Sequence, residues 1–449
     1  MRPLLVRYSL PAAGLFILAA FAVLYATAPQ LYAALLVDLG LAPFRYPFLD
    51  GQYVLAGSEC WHLGIDVYAN DPCDVLDRAH AYSPLWLRLP AIPMTMTIPL
   101  GMSLAVLFVL SLAAVAPVRS GRDFVLCLLA AASPMALFAL ERANVDIIIF
   151  LLVVAAGLLG PRLSGGWRLL AYAPPLLAAL LKYYPITLLC VALRERPRVF
   201  FITTAASIAA VGIFVILFRA ELLASLPNIP GGGYATGIFG AFNSSGAYFS
   251  DNFGAPVLLG GIAQIIAYGP TAPDAFTFRL VLIGVLTMAS LLAVIPSVRM
   301  ACAPAARASI ARLCPRQNFF LVSGAALVAG CFFAGQSIDY RGVHLLLVLP
   351  GLLALSQRET SPGHGALFWN ASLMIVFLMW GDCFRVWLSG DNLGLLRLGL
   401  WFARELMWWW LAGVFVGVLL CFALESPLFQ ELSARLRGRR TLSADASSG

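Results

Sequence analysis

The sequence predicts an all-α polytopic membrane protein, and three observations carry this prediction. The 449-residue chain is 61% hydrophobic, only 11% of its residues are charged, and its mean hydropathy is +0.88. Apolar runs of about 20 residues recur along it, which is the length that a helix needs to cross a hydrocarbon core roughly 30 Å thick. Because a helix satisfies its own backbone hydrogen bonds in lipid, these runs are expected to be helical.

Ten apolar runs are predicted to be membrane segments. The first is long enough to span, and no small-residue cleavage pattern ends it, so we expect no cleaved signal peptide. The runs cover residues 10–37, 92–116, 123–140, 145–160, 198–218, 277–297, 317–334, 342–356, 366–388 and 402–424.

The stretch between Arg168 and Arg194 is predicted to be a hairpin that enters and leaves the membrane on the cytoplasmic side. Its flanks, GPRLSGGWR and RERPR, are both basic, and short basic flanks stay in the cytoplasm. Each arm is too short to cross completely at ~1.5 Å per residue, so the turn at KYYP (182–185) is expected within the membrane or near its outer boundary. With this hairpin the chain has about 12 membrane segments and both termini in the cytoplasm.

This layout predicts a single transmembrane domain over residues 1–424. Two long extracytoplasmic loops interrupt it: a large, acidic first loop at 38–91 and a second loop, rich in Gly and aromatic residues, at 219–276. Residues 425–449 form a cytoplasmic basic tail that is expected to be disordered.

The net charge of +7 follows this topology. The predicted cytoplasmic segments carry a net charge of +12, and the rest of the chain carries −5. The basic excess therefore reflects the orientation of the chain in the lipid bilayer, and no nucleic-acid partner is expected. Of the 29 basic residues 28 are Arg, a skew that, with many Ala, Gly and Leu, is typical of GC-rich bacterial genomes. We therefore expect a multi-pass protein of the bacterial plasma membrane, with its chemistry on the acidic, extracytoplasmic side.

Asp50 is the first candidate for that chemistry. It lies in the acidic first loop, which returns to the membrane through the aromatic and Pro-rich sequence AYSPLWLRLPAIP and should be held against the bilayer surface. A carboxylate placed there can act as a general base toward a hydroxyl group. The alternative is that Asp50 only caps a helix or solvates the loop.

Lys182 is the second candidate, because it is the one lysine in the chain and lies at the predicted tip of the hairpin. A compact ammonium suits a phosphate oxygen in a narrow cleft better than a planar guanidinium does. A charge within the membrane is costly and by default indicates function, although chance can also leave a single lysine.

Arg142, in LERANVDIII, and Arg341, in QSIDYRGVH, lie at the outer ends of predicted spans. Each could face an anionic phosphate, or could pair with its neighbour Glu141 or Asp339. Asn144 and Asp146 begin a span and can simply cap it.

Cysteine and histidine give weaker signals. Cys60 and Cys73 share the first loop and are either a disulfide or two free thiols. The four histidines form no ligand-spaced pair, so no structural zinc site is expected.

Several motifs follow one another in an order that is familiar. A lone acid comes after the first span (Asp50), followed by G-x-D-x-Y (64–68) and by Y-x-P (82–84) before a Pro-rich span. ERANVDIIIF (141–150), LLKYYPITLL (180–189) and DYRGVHLLLVLP (339–350) come later. Over roughly residues 1–355 the chain resembles the polyprenyl-phosphate-dependent glycosyltransferases of family 87, which belong to the GT-C superfamily of membrane glycosyltransferases.

The resemblance implies a GT-C-like bundle and an inverting enzyme. Such an enzyme moves a sugar, here a mannose-like hexose or a pentose, from a polyprenyl-phosphate carrier to a hydroxyl of an acceptor glycan or lipid at the extracytoplasmic face. Asp50 would be the general base, and Lys182, Arg341 and Arg142 would hold the donor phosphate. Further candidates for substrate binding are Asp66, Tyr68, Tyr82, Asn144 and Tyr183. Many relatives carry paired acids in the first loop, whereas Leu49 precedes Asp50 here, so we expect neither a metal ion nor another cofactor.

Two other functions stay open on the sequence. A transporter or flippase of lipid-linked sugars would also cross the membrane many times, but such proteins usually contain internal repeats, and no repeat is visible. An O-antigen polymerase or ligase would have similar helices and extracytoplasmic Arg residues, but it would not need the acidic first loop.

Overall fold

A computed structural model of the chain describes residues 2–41, 43, 46–90, 92–229, 252–267, 274–335, 337–357, 362–388 and 394–446. Its α-helices are α1 (Arg2–Thr27), α2 (Pro29–Asp38), α3 (Leu49–His62), α4 (Thr97–Val115), α5 (Gly121–Ala131), α6 (Pro134–Glu141), α7 (Val145–Leu159), α8 (Ala173–Lys182), α9 (Pro197–Leu217), α10 (Arg219–Ser225), α11 (Ala255–Ala267), α12 (Ala275–Cys302), α13 (Pro304–Ala311), α14 (Pro315–Ala334), α15 (Leu345–Ser356), α16 (Pro362–Met379), α17 (Gly381–Trp387), α18 (Gly394–Leu424) and α19 (Pro427–Ala446). Shorter 3₁₀ helices are Pro84–Arg88, Met94–Met96, Gly165–Tyr172, Tyr184–Arg194, Leu226–Asn228 and Asp339–His344.

The predicted all-α membrane fold is confirmed. Within the described residues, six helices are long and apolar enough to cross a bilayer, and a seventh span is possible if the bent pair α5 and α6 is one element. The six cover Tyr8–Thr27, Met94–Val115, Pro197–Leu217, Ala275–Cys302, Pro315–Ala334 and Leu398–Leu424. The expected count of about 12 membrane segments stays a prediction.

Prolines explain where the predicted spans are interrupted. The first apolar run divides into α1 and α2 because Pro29 begins a new helix and its ring nitrogen cannot donate to the preceding turn. The run at 123–140 divides in the same way at Pro134, where Ser133 accepts a hydrogen bond from the backbone of Ala136 and α6 leaves α5 at 47°.

The hairpin turn is confirmed at KYYP. Helix α8 ends at Lys182, Tyr183 takes a positive φ of 39°, and a 3₁₀ helix then runs from Tyr184 to Arg194 and packs back against α8. A positive φ is costly for a residue with a side chain, so the surrounding structure must hold this turn.

The centre of the bundle is formed by α14, most of whose side chains are buried, and by α15, whose side chains are almost all buried. Two short strands, β1 (Asn252–Phe253) and β2 (Ser337–Ile338), pair antiparallel in front of α15, with Asn252 opposite Ile338. This ladder joins the end of the second loop to the DYRGVH segment. It brings two parts of the chain that are far apart in sequence to the same end of the bundle.

The first loop is more ordered than the sequence indicates. It contains α3, which was not predicted, and a disulfide joins Cys60 at the end of this helix to Cys73. The structure therefore resolves the open choice at these cysteines. In the second loop, residues 230–251, with most of its Gly and aromatic residues, lie outside the described residues.

The tail also differs from expectation, because α19 occupies most of the segment that was predicted to be disordered. Ser426 accepts a hydrogen bond from the backbone of Phe429 at the start of this helix. Glu431 and Arg435, four residues apart, form an ion pair on its surface. A cap and an (i, i+4) pair both favour a helix, and an argument from composition alone overlooks them.

Candidate functional site

A cavity of about 720 Å³ lies at the end of the bundle where α6 and α8 end. Asp50, Arg142, Lys182, Arg341, Tyr82 and Tyr183 all line it, so six of the nine candidate residues share one space. Asn144 is fully buried beside it and connects two of these residues.

The ERAN segment positions Asp50 through its backbone. The carbonyl of Arg142 accepts hydrogen bonds from the backbone of Asp50 (3.0 Å) and of Gly51 (3.1 Å), which are in the first turn of α3. These amides have no partner within their own helix, so the contact satisfies groups that would otherwise be unpaired. A Cβ at position 51 would lie 3.1 Å from the Cβ of Ala143, which explains why glycine follows Asp50.

The side chain of Asn144 joins Asp50 to Lys182. Its Oδ1 accepts from Lys182 Nζ (3.2 Å) and from the backbone amide of Asp146 (3.0 Å), so the amide oxygen is fixed on that side. The Nδ2 group therefore points to Asp50 and donates to Oδ2 over 2.6 Å. Asn144 caps α7 as predicted, and it also leaves Asp50 Oδ2 acting as an acceptor.

Lys182 is held by one carboxylate and two aromatic rings. Its Nζ lies 2.8 Å from Asp146 Oδ2, 5.4 Å from the centre of the Tyr82 ring and 5.1 Å from that of Tyr340. The side chain is only 7% exposed, and that small opening faces the cavity. A buried ammonium needs such partners, because loss of hydration is otherwise too costly.

Asp146 organises the groups behind Lys182. Tyr184 donates to its Oδ1 over 2.5 Å, so the same hydroxyl can only accept from His344 Nε2, 2.7 Å away. A neutral His344 therefore carries its proton on Nε2. Arg341 Nε also approaches Asp146, at 4.0 Å from Oδ2.

The two candidate arginines differ in their contacts. Arg341 is partly exposed to the cavity, donates to Ser337 Oγ (2.8 Å) and lies over the Tyr184 ring. Its neighbour Asp339 instead pairs with Arg404 of α18 at 2.6 Å. Arg142 is almost fully buried and lines the cavity. It also pairs with its sequence neighbour Glu141 at 3.0 Å. Both alternatives that the sequence left open for Arg142, facing a ligand and pairing with Glu141, are therefore compatible with the structure.

Arg78 is a further cation of the cavity that the sequence did not single out. Its Nη1 lies 3.7 Å from Asp50 Oδ1, and two of its other nitrogens donate to Asp74 at 2.8 and 2.9 Å. Burial alone would lower the pKa of Arg78, but the hydrogen bonds to Asp74 and the charges of Asp74 and Asp50 hold that pKa above its ordinary value. Asp50 thus has a permanently charged neighbour.

Asp146, Tyr184 and His344 were also missed as site residues, because only the tertiary fold brings them together. Asp146 was considered only as a helix-end residue, and Tyr184 and His344 were not selected. One signal was present, because His344 follows Arg341 by three residues, a spacing that places side chains on the same face of a helix.

Asp66 and Tyr68 do not line this cavity. They lie instead along a second, more open groove beside α10, together with Trp61 and Glu221. The G-x-D-x-Y motif therefore forms a part of the first loop that is separate from Asp50.

Within the described residues, one group of three possible metal ligands lies close together, namely Cys60, Asp71 and Cys73. Its two sulfurs are joined in the disulfide, so this group does not offer a thiolate site. The cavity itself brings Asp50 next to Asn144 and Arg78, and a cation at that position would compete with the arginine.

Comparison of the chain with protein-family models, with curated proteins and with solved structures returns no match. The resemblance to family 87 therefore depends on the motifs alone, and function has to be argued from the cavity.

Proposed function

We propose that the chain is an inverting glycosyltransferase that moves a sugar from a polyprenyl-phosphate carrier to an acceptor hydroxyl. The observation that carries this proposal is the shared cavity of Asp50 and Lys182, whose side chains are linked through one asparagine amide. A fixed acceptor of protons beside a fixed cation is what transfer between a hydroxyl and a phosphate-activated sugar requires.

In the proposed reaction the acceptor oxygen attacks the anomeric carbon of the donor sugar as the bond from that carbon to the phosphate oxygen breaks. Asp50 takes the proton of the attacking hydroxyl. The electron pair of the broken bond leaves with polyprenyl phosphate, and Lys182 and Arg341 stabilise its charge. Attack from the side opposite the leaving phosphate gives inversion, and the rigid attachment of Asp50 to the ERAN segment favours this alignment.

A second, apolar cavity supports an isoprenoid donor. It has a volume of about 270 Å³, lies against α1 and α4, and is lined mainly by aliphatic and aromatic side chains. Phe48 and Glu141 are at its edge, and they directly precede Leu49 and Arg142, which line the main cavity. An isoprenoid chain bound in the apolar cavity would therefore have its phosphate end at the main cavity, which Arg142 and Lys182 line.

Asp50→Asn tests the proposal. We expect it to lower turnover at least a hundredfold, because the amide keeps the shape but cannot act as a general base. The assay uses the purified full chain in detergent and a panel of short-chain polyprenyl-phosphate sugars, with release of polyprenyl phosphate as the readout. Asp77→Asn is the matched control, since Asp77 is exposed in the same loop, outside the cavity lining, and its positive φ of 50° suits asparagine.

Two outcomes would contradict the proposal. Near-normal turnover by Asp50→Asn would remove the base from the mechanism. Failure of the wild-type chain to consume any sugar in the panel would argue against a transferase.

One observation favours a transporter as the second candidate. Asp146 is fully buried and contacts Lys182, Tyr184 and His344, and buried chains of ionisable groups also occur in proton-coupled transporters. The detergent assay separates the two functions, because a transporter moves its substrate intact and cleaves no sugar–phosphate bond.

A further inference from the structure

The second groove, which holds Asp66 and Tyr68, has its own chemistry. Its volume is about 510 Å³, and its lining includes Trp61, Tyr68, Asp66 and Glu221. Arg88 fixes two of these residues, because its Nη2 lies 2.8 Å from Glu221 Oε1 and its guanidinium lies 4.8 Å from the centre of the Trp61 ring. The groove therefore combines aromatic rings with carboxylates that are held in place.

Tyr68 forms a fixed wall of the groove. The residue is only 8% exposed, and within the part of the chain that the structure describes its hydroxyl has no hydrogen-bond partner. The hydroxyl is itself shielded from the groove, so the ring of Tyr68 is the surface that this residue offers to a ligand.

The ligand class follows from the lining. Carboxylates accept hydrogen bonds from hydroxyl groups, and indole and phenol rings pack against the apolar faces of sugar rings. Two carboxylates, Asp66 and Glu221, disfavour an anionic lipid headgroup. A neutral saccharide fits this set of groups best.

The groove and the main cavity are adjacent. Asn228 lines the main cavity and donates to the carbonyl of Tyr68 over 2.8 Å. Helix α10 carries Glu221 in the groove, while its last residue, Ser225, lies near the side chain of Tyr183 in the main cavity. One short helix thus separates the two spaces.

We propose that this groove is a second saccharide-binding site, which holds sugar units of the acceptor beyond the one that reacts at Asp50. The assignment rests on the proposed function, since it takes the acceptor to be an oligosaccharide. It gives Asp66 and Glu221 a role in acceptor affinity and none in proton transfer.

The test measures binding without transfer. The full chain carrying Asp50→Asn is placed in lipid nanodiscs, and saturation-transfer NMR follows methyl α-mannoside, a linear α-mannotriose, methyl α-arabinofuranoside and a linear arabinotriose. We expect at least one trisaccharide to bind more tightly than its monosaccharide. Adding Asp66→Asn together with Glu221→Gln should weaken that trisaccharide about tenfold or more, as expected for loss of hydrogen bonds to charged groups. Adding Asp77→Asn should leave it unchanged.

The outcomes separate the two proposals. If no trisaccharide binds, or if all variants bind equally, the groove is not a saccharide site. The same conclusion follows if the groove variants alter binding only when phosphatidylglycerol replaces phosphatidylcholine in the nanodisc. If a trisaccharide binds in the expected way but the wild-type chain transfers no sugar, the groove assignment stands and the proposed transferase function falls. Because both substitutions keep side-chain shape, a thermal unfolding curve is sufficient to check that the variants are folded.

Discussion

Lys182 combines a full positive charge with almost complete burial. Its ammonium fits between two tyrosine rings and reaches Asp146 and Asn144 at 2.8 and 3.2 Å, so every direction except the cavity is occupied. The sequence indicated this residue because it is the single lysine. It could not indicate the counter-ion, since Asp146 by sequence is an ordinary acid in the first turn of a helix.

At the scale of this residue we predict that Lys182→Arg lowers turnover at least a hundredfold. A guanidinium is longer and planar, so it cannot occupy the space between the rings of Tyr82 and Tyr340 while keeping the contact with Asp146. Turnover on the best donor of the polyprenyl-phosphate panel is the measurement. Wild-type turnover would show that any cation is sufficient at this position.

A double variant distinguishes two roles of Lys182, namely neutralising the charge of Asp146 and binding the donor phosphate. Lys182→Met alone removes the nearest counter-ion of the buried Asp146 carboxylate, which costs about 3–5 kcal/mol of stability. Lys182→Met with Asp146→Asn removes both charges and is expected to recover most of that stability, as measured by thermal unfolding. It should remain inactive if the ammonium binds the donor phosphate, and recovered activity would contradict that role.

At the scale of elements, the contact between α3 and the ERAN segment decides where Asp50 lies. Helix α3 could not be predicted, because it contains two glycines and several polar residues and is stabilised mainly by contacts with distant parts of the chain. The hairpin turn at KYYP could be predicted, because basic flanks and a proline restrict it locally. Local signals were therefore readable, whereas docking between elements was not.

This contact makes Gly51 a positioning residue. Gly51→Ala places a Cβ 3.1 Å from the Cβ of Ala143, so α3 has to move by a few tenths of an ångström and the bond from Asp50 to Asn144 lengthens. We expect turnover to fall about tenfold, since small displacements of a catalytic group are costly. The KM for the donor should change little, because Lys182 and Arg341 are not displaced.

Gly284→Ala is the matched control for this prediction. A Cβ at Gly284, in the middle of α12, meets no atom within 4 Å, so this variant should keep wild-type turnover. Equal turnover of Gly51→Ala and Gly284→Ala would show that the close approach at Gly51 does not position Asp50. A higher donor KM in Gly51→Ala with unchanged kcat would place the effect on binding instead.

At the scale of the whole molecule, the cavity and the basic segment that contains Arg168 and Arg194 lie at opposite ends of the same elements. Helix α7 begins beside the cavity and ends at Leu159, and the 3₁₀ helix from Tyr184 runs from the cavity to Arg194. The guanidinium of Arg194 lies against Gly160, so the two far ends meet. Arg168 and Arg194 both pair there with Glu195.

This polarity predicts the orientation, because basic loops stay in the cytoplasm and the cavity must then open on the other side. Green fluorescent protein fused after residue 449 should fluoresce, and alkaline phosphatase inserted at Asp77, an exposed residue of the first loop, should be active, since the first folds in the cytoplasm and the second only outside it. Insertion of alkaline phosphatase at Arg162, which is exposed just beyond α7, is the control and should be inactive. The reverse pattern would put Asp50 in the cytoplasm, where the proposed extracytoplasmic transfer to an acceptor could not take place.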